Sequence, residues 1–149
     1  MFKQITDQIA IGDEMTPERL KELGQQGYKM VIDLCTVQEG NLIAKTQARE
    51  VGLVLKHVPV SMESLSPEIV EQFITTVEQA DGPVYTRCAS GRRAALMAFL
   101  TQATQERWTH TQFFEVVEAA GFDCSSAPQL AAFAEEYLEK LHTTSRPGN

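Results

Sequence analysis

The sequence contains no uninterrupted run of about 18 apolar residues, the length that crosses a membrane as a helix. Its first residues also lack the apolar core and the small-residue cleavage site of a signal peptide. The 13 basic residues are outnumbered by 20 acidic ones, for a formal net charge of −7. Such a charge disfavours nucleic acids and acidic membrane surfaces as partners. We therefore expect a cytoplasmic protein with no nucleic acid and no membrane as its partner.

Cysteine is scarce, and its three positions (35, 88 and 124) follow no disulfide framework, which is typical of reduced thiols. The three histidines have no metal-ligand spacing with each other or with the cysteines, so we expect no metal and no cofactor. Internal repeats, low-complexity segments and linkers are also missing. The 149 residues therefore predict one domain over 1–142, followed by a mobile polar tail over 143–149.

Strand and helix patterns alternate along the chain. Thr16 and Ser66 are each followed by proline and glutamate, which is typical of a helix start, and Asn41 is predicted to cap another helix. The predicted strands are 3–6, 8–11, 29–34, 53–60 and 84–86, and the predicted helices are 17–24, 41–51, 67–80, 92–105, 109–120 and 128–141. This order predicts an α/β domain with a mostly parallel sheet, whose sites lie at the carboxyl ends of the strands.

The most informative stretch is residues 83–93, in which a short strand is followed by a cysteine, small residues, a glycine and an arginine before a helix. Backbone N–H groups in such a loop point toward one anion, and the helix N-terminus adds partial positive charge. The same field stabilises a thiolate. A nucleotide-binding loop is excluded because the Gly-Lys-Ser/Thr ending is missing. We predict Cys88 as nucleophile, Arg93 as a bidentate anion ligand, and a cradle formed by Ala89, Ser90, Gly91 and Arg92.

Three further residues lie near the same predicted edge. Asp33, a carboxylate in a core strand, needs partners; it is either a satisfied strand-end acid or a group that supports the loop after Cys88. Cys35 ends the same strand and either packs there or resolves an oxidised or persulfidated Cys88 by disulfide exchange. His57 is interpreted as a hydrogen-bonded structural histidine.

Several segments together resemble a known family: Ile-Thr-Asp at 5–7, Pro-Glu-Arg-Leu at 17–20, the run 27–34, Glu39, His-Val-Pro-Val at 57–60, and Pro-Val-Tyr leading into Cys-x-x-Gly-x-Arg. The chain resembles the bacterial beta-lactamase hydrolase-like protein phosphatases, small relatives of dual-specificity phosphatases with the tyrosine-phosphatase fold. The resemblance implies a four- or five-stranded sheet flanked by helices. It also implies that Cys88 is the nucleophile and that Arg93 binds the oxyanion.

The loop departs from the phosphatase pattern at three points. Phosphatases have Cys-x5-Arg, whereas Arg93 is at the fifth position after Cys88 and Ala94 is at the sixth. Arg87 replaces the histidine that usually precedes the cysteine, and Ala94 replaces the serine or threonine that usually follows the arginine. The shorter loop has the length found in rhodanese-type sulfurtransferases.

The general acid is also uncertain, because the segment after the fourth strand offers only Glu63 where dual-specificity enzymes have an aspartate. Glu39 and Asp81 are the other candidates. The favoured function is a phosphatase, and the alternatives are a sulfurtransferase carrying sulfane sulfur on Cys88 and a non-catalytic anion-sensing module. In each case the loop would hold phosphate, sulfate or a thiosulfate-like anion; the phosphorylated or sulfur-carrying substrate is not identified by the sequence.

Overall fold

One five-stranded sheet organises the residues that the computed structural model describes, which are 1–13, 15–39 and 45–144. The strands are β1 (Phe2–Gln4), β2 (Ile9–Gly12), β3 (Met30–Asp33), β4 (Val54–His57) and β5 (Val84–Arg87). Their order in the sheet is β1-β2-β5-β3-β4, and only the edge strand β1 pairs antiparallel to its neighbour. The predicted α/β class with a mostly parallel sheet is confirmed.

In the described ranges, six α-helices connect and cover the strands: α1 (Pro17–Gln25), α2 (Lys45–Glu50), α3 (Pro67–Glu78), α4 (Arg92–Glu106), α5 (His110–Ala119) and α6 (Pro128–Thr144). The two predicted proline starts are confirmed. Thr16 Oγ1 accepts the N–H of Arg19 at 3.1 Å, and Ser66 Oγ accepts the N–H of Ile69 at 3.3 Å. Each side chain thereby satisfies one of the amides that the first helical turn leaves without a partner.

The two faces of the sheet bury different clusters. On one face α3, α4, α5 and α6 pack around Ile32, Leu34, Val84 and Cys88. On the other face α1 and α2 pack against a smaller cluster that includes Val31 and Tyr85. Helix α4 is buried along most of its length, with nine residues from Ala94 to Ala103 inside the core. A helix that is apolar on all sides belongs inside the domain, and this position brings the start of α4 to the carboxyl end of β5.

Strand register brings four strand ends to a single edge. Arg87 pairs with Gly12 on one side and with Asp33 on the other, and Asp33 pairs in turn with His57. Because these four strands are parallel, the segments that follow them also meet at this edge. Cys88 is the first residue beyond β5. The described residues include no helix long and apolar enough to cross a membrane.

The ends of β4 and α6 differ from the predicted ones. Regular pairing of β4 ends at His57 rather than residue 60. Contact with β3 nevertheless continues, since the N–H of Val60 donates to the Leu34 carbonyl at 2.9 Å. The predicted cap Asn41 lies outside the described residues. Helix α6 continues to Thr144, past the predicted helix end at residue 141, and residues 145–149 lie outside the described residues.

Candidate active site

Cys88 lies where β5 meets α4, and its sulfur accepts hydrogen bonds from backbone amides. The N–H of Gly91 donates to Cys88 Sγ at 3.1 Å, and the N–H of Ala94 donates at 3.4 Å. Both amides belong to the start of α4, so the sulfur lies at the positive end of that helix dipole. The two N–H groups thereby orient the sulfur toward the start of α4.

The cradle around this sulfur is closed and differs in detail from the predicted one. The Cys88 side chain is 0% exposed and packs within the larger core cluster. Ala94 was not among the predicted cradle residues, yet its amide points at Sγ. The N–H of Arg92 donates instead to Ser90 Oγ at 3.4 Å. In this conformation the amides of Gly91 and Ala94 are turned toward the sulfur itself.

Gly91 permits the tight turn before α4. Its φ is +85°, in the left-handed region that glycine adopts readily and other residues rarely do. A Cβ atom at this position would also collide with the terminal methyl carbon of Met1. The turn that aims the amides at Sγ therefore requires glycine at this position for its backbone conformation.

Arg93 spans the ends of β3 and β4 through its guanidinium. Nη1 donates to the Val60 carbonyl at 2.7 Å, and Nη1 and Nη2 reach the two carboxylate oxygens of Glu39 at 3.0 and 2.7 Å. This is a bidentate ion pair, the geometry in which arginine binds carboxylates most strongly. Within the described part of the chain these contacts use both N–H groups of Nη1 and one of Nη2, so Nε–H and the second N–H of Nη2 are the donors through which Arg93 can also reach an anion.

The pairing with Arg93 removes Glu39 from the candidate general acids. The hydrogen bond from Arg93 is the largest cause that lowers the pKa of Glu39, to about 2, and hydrogen bonds from Thr36 lower it further. A carboxyl group with this pKa holds no proton to donate near neutral pH. Asp81 is excluded by position, because it precedes β5 and so lies at the opposite edge of the sheet from Cys88. Glu63 is exposed in a 3-10 turn (Met62–Ser64) after β4 and stays a candidate.

A second arginine, Arg87, is the last residue of β5 and, unlike Arg93, is fully buried. Arg87 is 0% exposed, and its Nη1 donates to Asp33 Oδ1 at 3.2 Å and to Cys35 Sγ. Asp33 Oδ1 also accepts the N–H of Cys35 at 3.0 Å. Of the two interpretations left open for Asp33, this contact favours support for the loop, because Asp33 neutralises the residue next to Cys88.

Cys35 lies on the other side of the sheet from Cys88. The register of β3 and β5 puts Leu34 and Cys88 in the larger cluster, whereas Cys35 turns to Arg87 on the α1 face. Burial, followed by the charge of Asp33, raises the pKa of the Cys35 thiol to about 11. A thiol on the opposite face that stays protonated is a poor resolving nucleophile, so packing against Arg87 is the better account of Cys35. His57 is hydrogen-bonded as interpreted, with Nε2 2.6 Å from the Cys35 carbonyl oxygen.

One cluster of potential metal ligands lies away from the loop. Ligand atoms of His110, Glu135 and Glu139 all lie within 4.8 Å of one another, on α5 and α6. The spacing of the histidines relative to each other and to the cysteines does not reveal this cluster, because its other two members are glutamates. The spacing of Glu135 and Glu139, four residues apart on one helix, was the signal available for this cluster. Both glutamates are exposed.

Comparison with known sequences gives a family match over most of the chain. The family described as "Beta-lactamase hydrolase-like protein, phosphatase-like domain" matches residues 1–105. The Beta-lactamase hydrolase-like protein of Xylella fastidiosa (strain Temecula1) is 26% identical in an alignment of 128 residues, and the match covers 83% of this chain and 30% of that protein. The chain thus spans about a third of the length of the curated relatives it matches.

Comparison with solved structures shows a tyrosine- and dual-specificity-phosphatase-like fold. A candidate phosphatase from Shewanella putrefaciens CN-32 aligns with a TM-score of 0.78 at 20% identity, over 94% of this chain and 92% of its own. P. aeruginosa TpbA, as a cysteine-to-serine variant in complex with pTyr, aligns with a TM-score of 0.78 at 13% identity, over 99% of this chain and 91% of its own.

Proposed function

The chain belongs to the phosphatase-like domain family of beta-lactamase hydrolase-like proteins, and on that premise we propose that it hydrolyses phosphate monoesters through the Cys88 thiolate. The observation that carries the proposal is the pair of amide hydrogen bonds from Gly91 and Ala94 to Cys88 Sγ. The pTyr bound by TpbA supports a phosphate monoester as the substrate type. Three free cysteines support a reducing, cytoplasmic location.

The proposed reaction has two displacements at phosphorus. The Cys88 thiolate attacks, an S–P bond forms, and the P–O bond to the leaving group breaks. Glu63 protonates the departing oxygen. Water then attacks the phosphocysteine and releases inorganic phosphate, which restores the thiolate. Throughout, loop amides and the Arg93 guanidinium stabilise the charge on the phosphoryl oxygens. The loop must open first, because Cys88 is 0% exposed in the conformation described.

Sulfur transfer is the rival function. The loop length favours it, and so does the missing aspartate, because a sulfurtransferase needs no general acid. The comparisons support a phosphatase and give the sulfurtransferase no support. Paired assays on the pure protein separate the two: hydrolysis of p-nitrophenyl phosphate, and thiocyanate formation from thiosulfate and cyanide. We expect the first activity, with a Cys88→Ser variant that has lost it and still binds inorganic phosphate or sulfate in a thermal-shift assay.

The two assays give distinct outcomes. Thiocyanate formation without phosphate release would replace the proposal by the sulfurtransferase. Anion binding with neither activity would indicate the sensing module. Hydrolysis that survives in Cys88→Ser would rule out Cys88 as the nucleophile. A Glu63→Gln variant tests the acid: we expect about a 100-fold loss of turnover, within the range for a positioned general acid.

A further inference from the structure

An apolar depression opens beside the Cys88 loop, between α4, α5, α6 and residues 122–127. It encloses about 80 Å³, and its walls are almost entirely hydrocarbon. The apolar lining includes Leu96, Phe99, Phe113, Phe114, Val117 and Leu130. Sequence patterns assign these side chains simply to the core, since helical spacing does not reveal that a gap is left between them.

The depression borders the Cys88 loop at Arg92, which is the residue of 88–93 that lines it. A wider groove of about 430 Å³ shares Arg92, Ala127 and Leu130 with it. The same groove reaches Met62, whose exposed side chain follows β4 at the edge where the strands end. Arg92 is the first residue of α4 and lies four positions after Cys88. A ligand whose phosphate occupies the loop can therefore extend its other end along the groove into the depression.

Charged residues at the rim of the depression limit which ligand groups can enter it. Arg92 and Asp123 are the charged residues that line the depression. Asp123 accepts hydrogen bonds from the Ser125 N–H at 2.9 Å and the Ser125 hydroxyl at 2.6 Å. These bonds, followed by the charge of Arg92, hold the pKa of Asp123 below its usual value. A fixed carboxylate beside the arginine disfavours a second anionic group, so the entering part of the ligand is uncharged.

The volume of the depression decides whether an aromatic ring or an alkyl chain fits into it. An apolar cavity of about 150 Å³ holds benzene, whereas the depression encloses about 80 Å³. We propose that the depression is a subsite for the alkyl chain of a phosphate monoester. This inference rests on the proposed function, because it assigns the phosphate end of the same ligand to the Cys88 loop.

Binding of alkylphosphonates tests the subsite without requiring turnover. Calorimetry on the full chain would measure the affinity of ethyl-, butyl-, hexyl-, octyl- and phenylphosphonate. We expect the affinity to rise by about fourfold for each methylene that is fully buried, which is the equivalent of about 0.8 kcal/mol. The rise should level off once the depression is full, and phenylphosphonate should bind no better than butylphosphonate.

Two substitutions on α6 provide the matched control. Ala131 lines the depression, whereas Ala132 is exposed on the next position of the same helix. Ala131→Leu should fill the space and abolish the gain with chain length, and Ala132→Leu should retain it.

The outcomes separate this inference from the proposed function. Affinity independent of chain length in a protein that hydrolyses p-nitrophenyl phosphate would overturn the subsite alone. A gain with chain length in a protein without phosphatase activity would overturn the proposed function and leave the subsite standing. Equal loss of the gain in both alanine variants would also overturn the subsite, because it would show a general disturbance of α6.

Discussion

Two arginine–carboxylate pairs lie on either side of Cys88, and they differ in burial. In the Arg87–Asp33 pair the side chains are 0% and 2% exposed, whereas in the Arg93–Glu39 pair they are 15% and 28% exposed. A buried ion cannot change partner without leaving an uncompensated charge in the core. A partly exposed one can, since water replaces the lost contact. We infer that Arg87 fixes the base of the loop, whereas Arg93 is the arginine able to turn toward an incoming anion.

The pairs also differ in what they connect. Arg87 and Asp33 are paired neighbours on adjacent strands, so their contact reinforces the sheet next to Cys88. Arg93 and Glu39 are 54 positions apart and join the start of α4 to the turn (Val37–Glu39) after β3. The first pair is part of the scaffold, and the second is part of the proposed anion site.

The largest expected effect is on stability, from breaking the buried pair. Asp33→Asn keeps an oxygen for the Cys35 amide but leaves the charge of Arg87 uncompensated. We expect the free energy of unfolding to fall by about 3 kcal/mol or more, measured by urea denaturation. Glu39→Gln is the matched change in the other pair and should cost less than Asp33→Asn, because both of its side chains are partly exposed and water can replace the lost contact. Equal losses in the two variants would contradict the division of roles.

The next largest effect is expected on turnover, from substituting the partly exposed Arg93. Lysine retains the charge of Arg93 but cannot present two parallel N–H donors. We expect Arg93→Lys to lower the turnover of p-nitrophenyl phosphate about 100-fold, the scale for losing one oxyanion donor. Its urea midpoint should change little. A variant that loses stability and retains turnover would show that Arg93 belongs to the scaffold.

A feature of this site could be predicted from the sequence where it depends on residues close together in the chain. Features that depend on the packing of distant segments could not. Helix starts at Pro17 and Pro67 depend on neighbouring residues, and both were predicted correctly. Because side chains alternate between the two faces along a strand, the sequence already predicted that Asp33 and Cys35 lie on one face of the sheet. Which face Cys88 occupies, however, depends on the register between β3 and β5, which one strand alone does not encode. The Glu39–Arg93 pair was missed for the same reason, and so was the depression, which exists only where three helices pack imperfectly.

A smaller effect on stability is expected when the pH is lowered, because Glu39 then becomes protonated. Its pKa is held at about 2, mainly by the hydrogen bond from Arg93, whereas that of an unfolded glutamate is about 4.3. Because the folded value is lower, pairing contributes stability above about pH 4.3, and this contribution is lost as the pH falls toward 2. The Tm difference between the wild type and Glu39→Gln should therefore be constant from pH 7 to about 5 and shrink below that. A difference that grows in acid would have the wrong sign for this pair.

The smallest effect should come from Arg92, the neighbour of Arg93 on the same turn of α4. Arg92 is exposed and lies at the rim of the apolar depression, and a lysine there retains the positive charge near the loop. We expect Arg92→Lys to lower the turnover of p-nitrophenyl phosphate about two- to fivefold, because exposed charges contribute little in water. The comparison with Arg93→Lys is internal, since both changes replace the same residue type within one helical turn. A smaller loss at Arg93 than at Arg92 would mean that Arg92 closes the loop around the anion and that the Glu39 pair is purely structural.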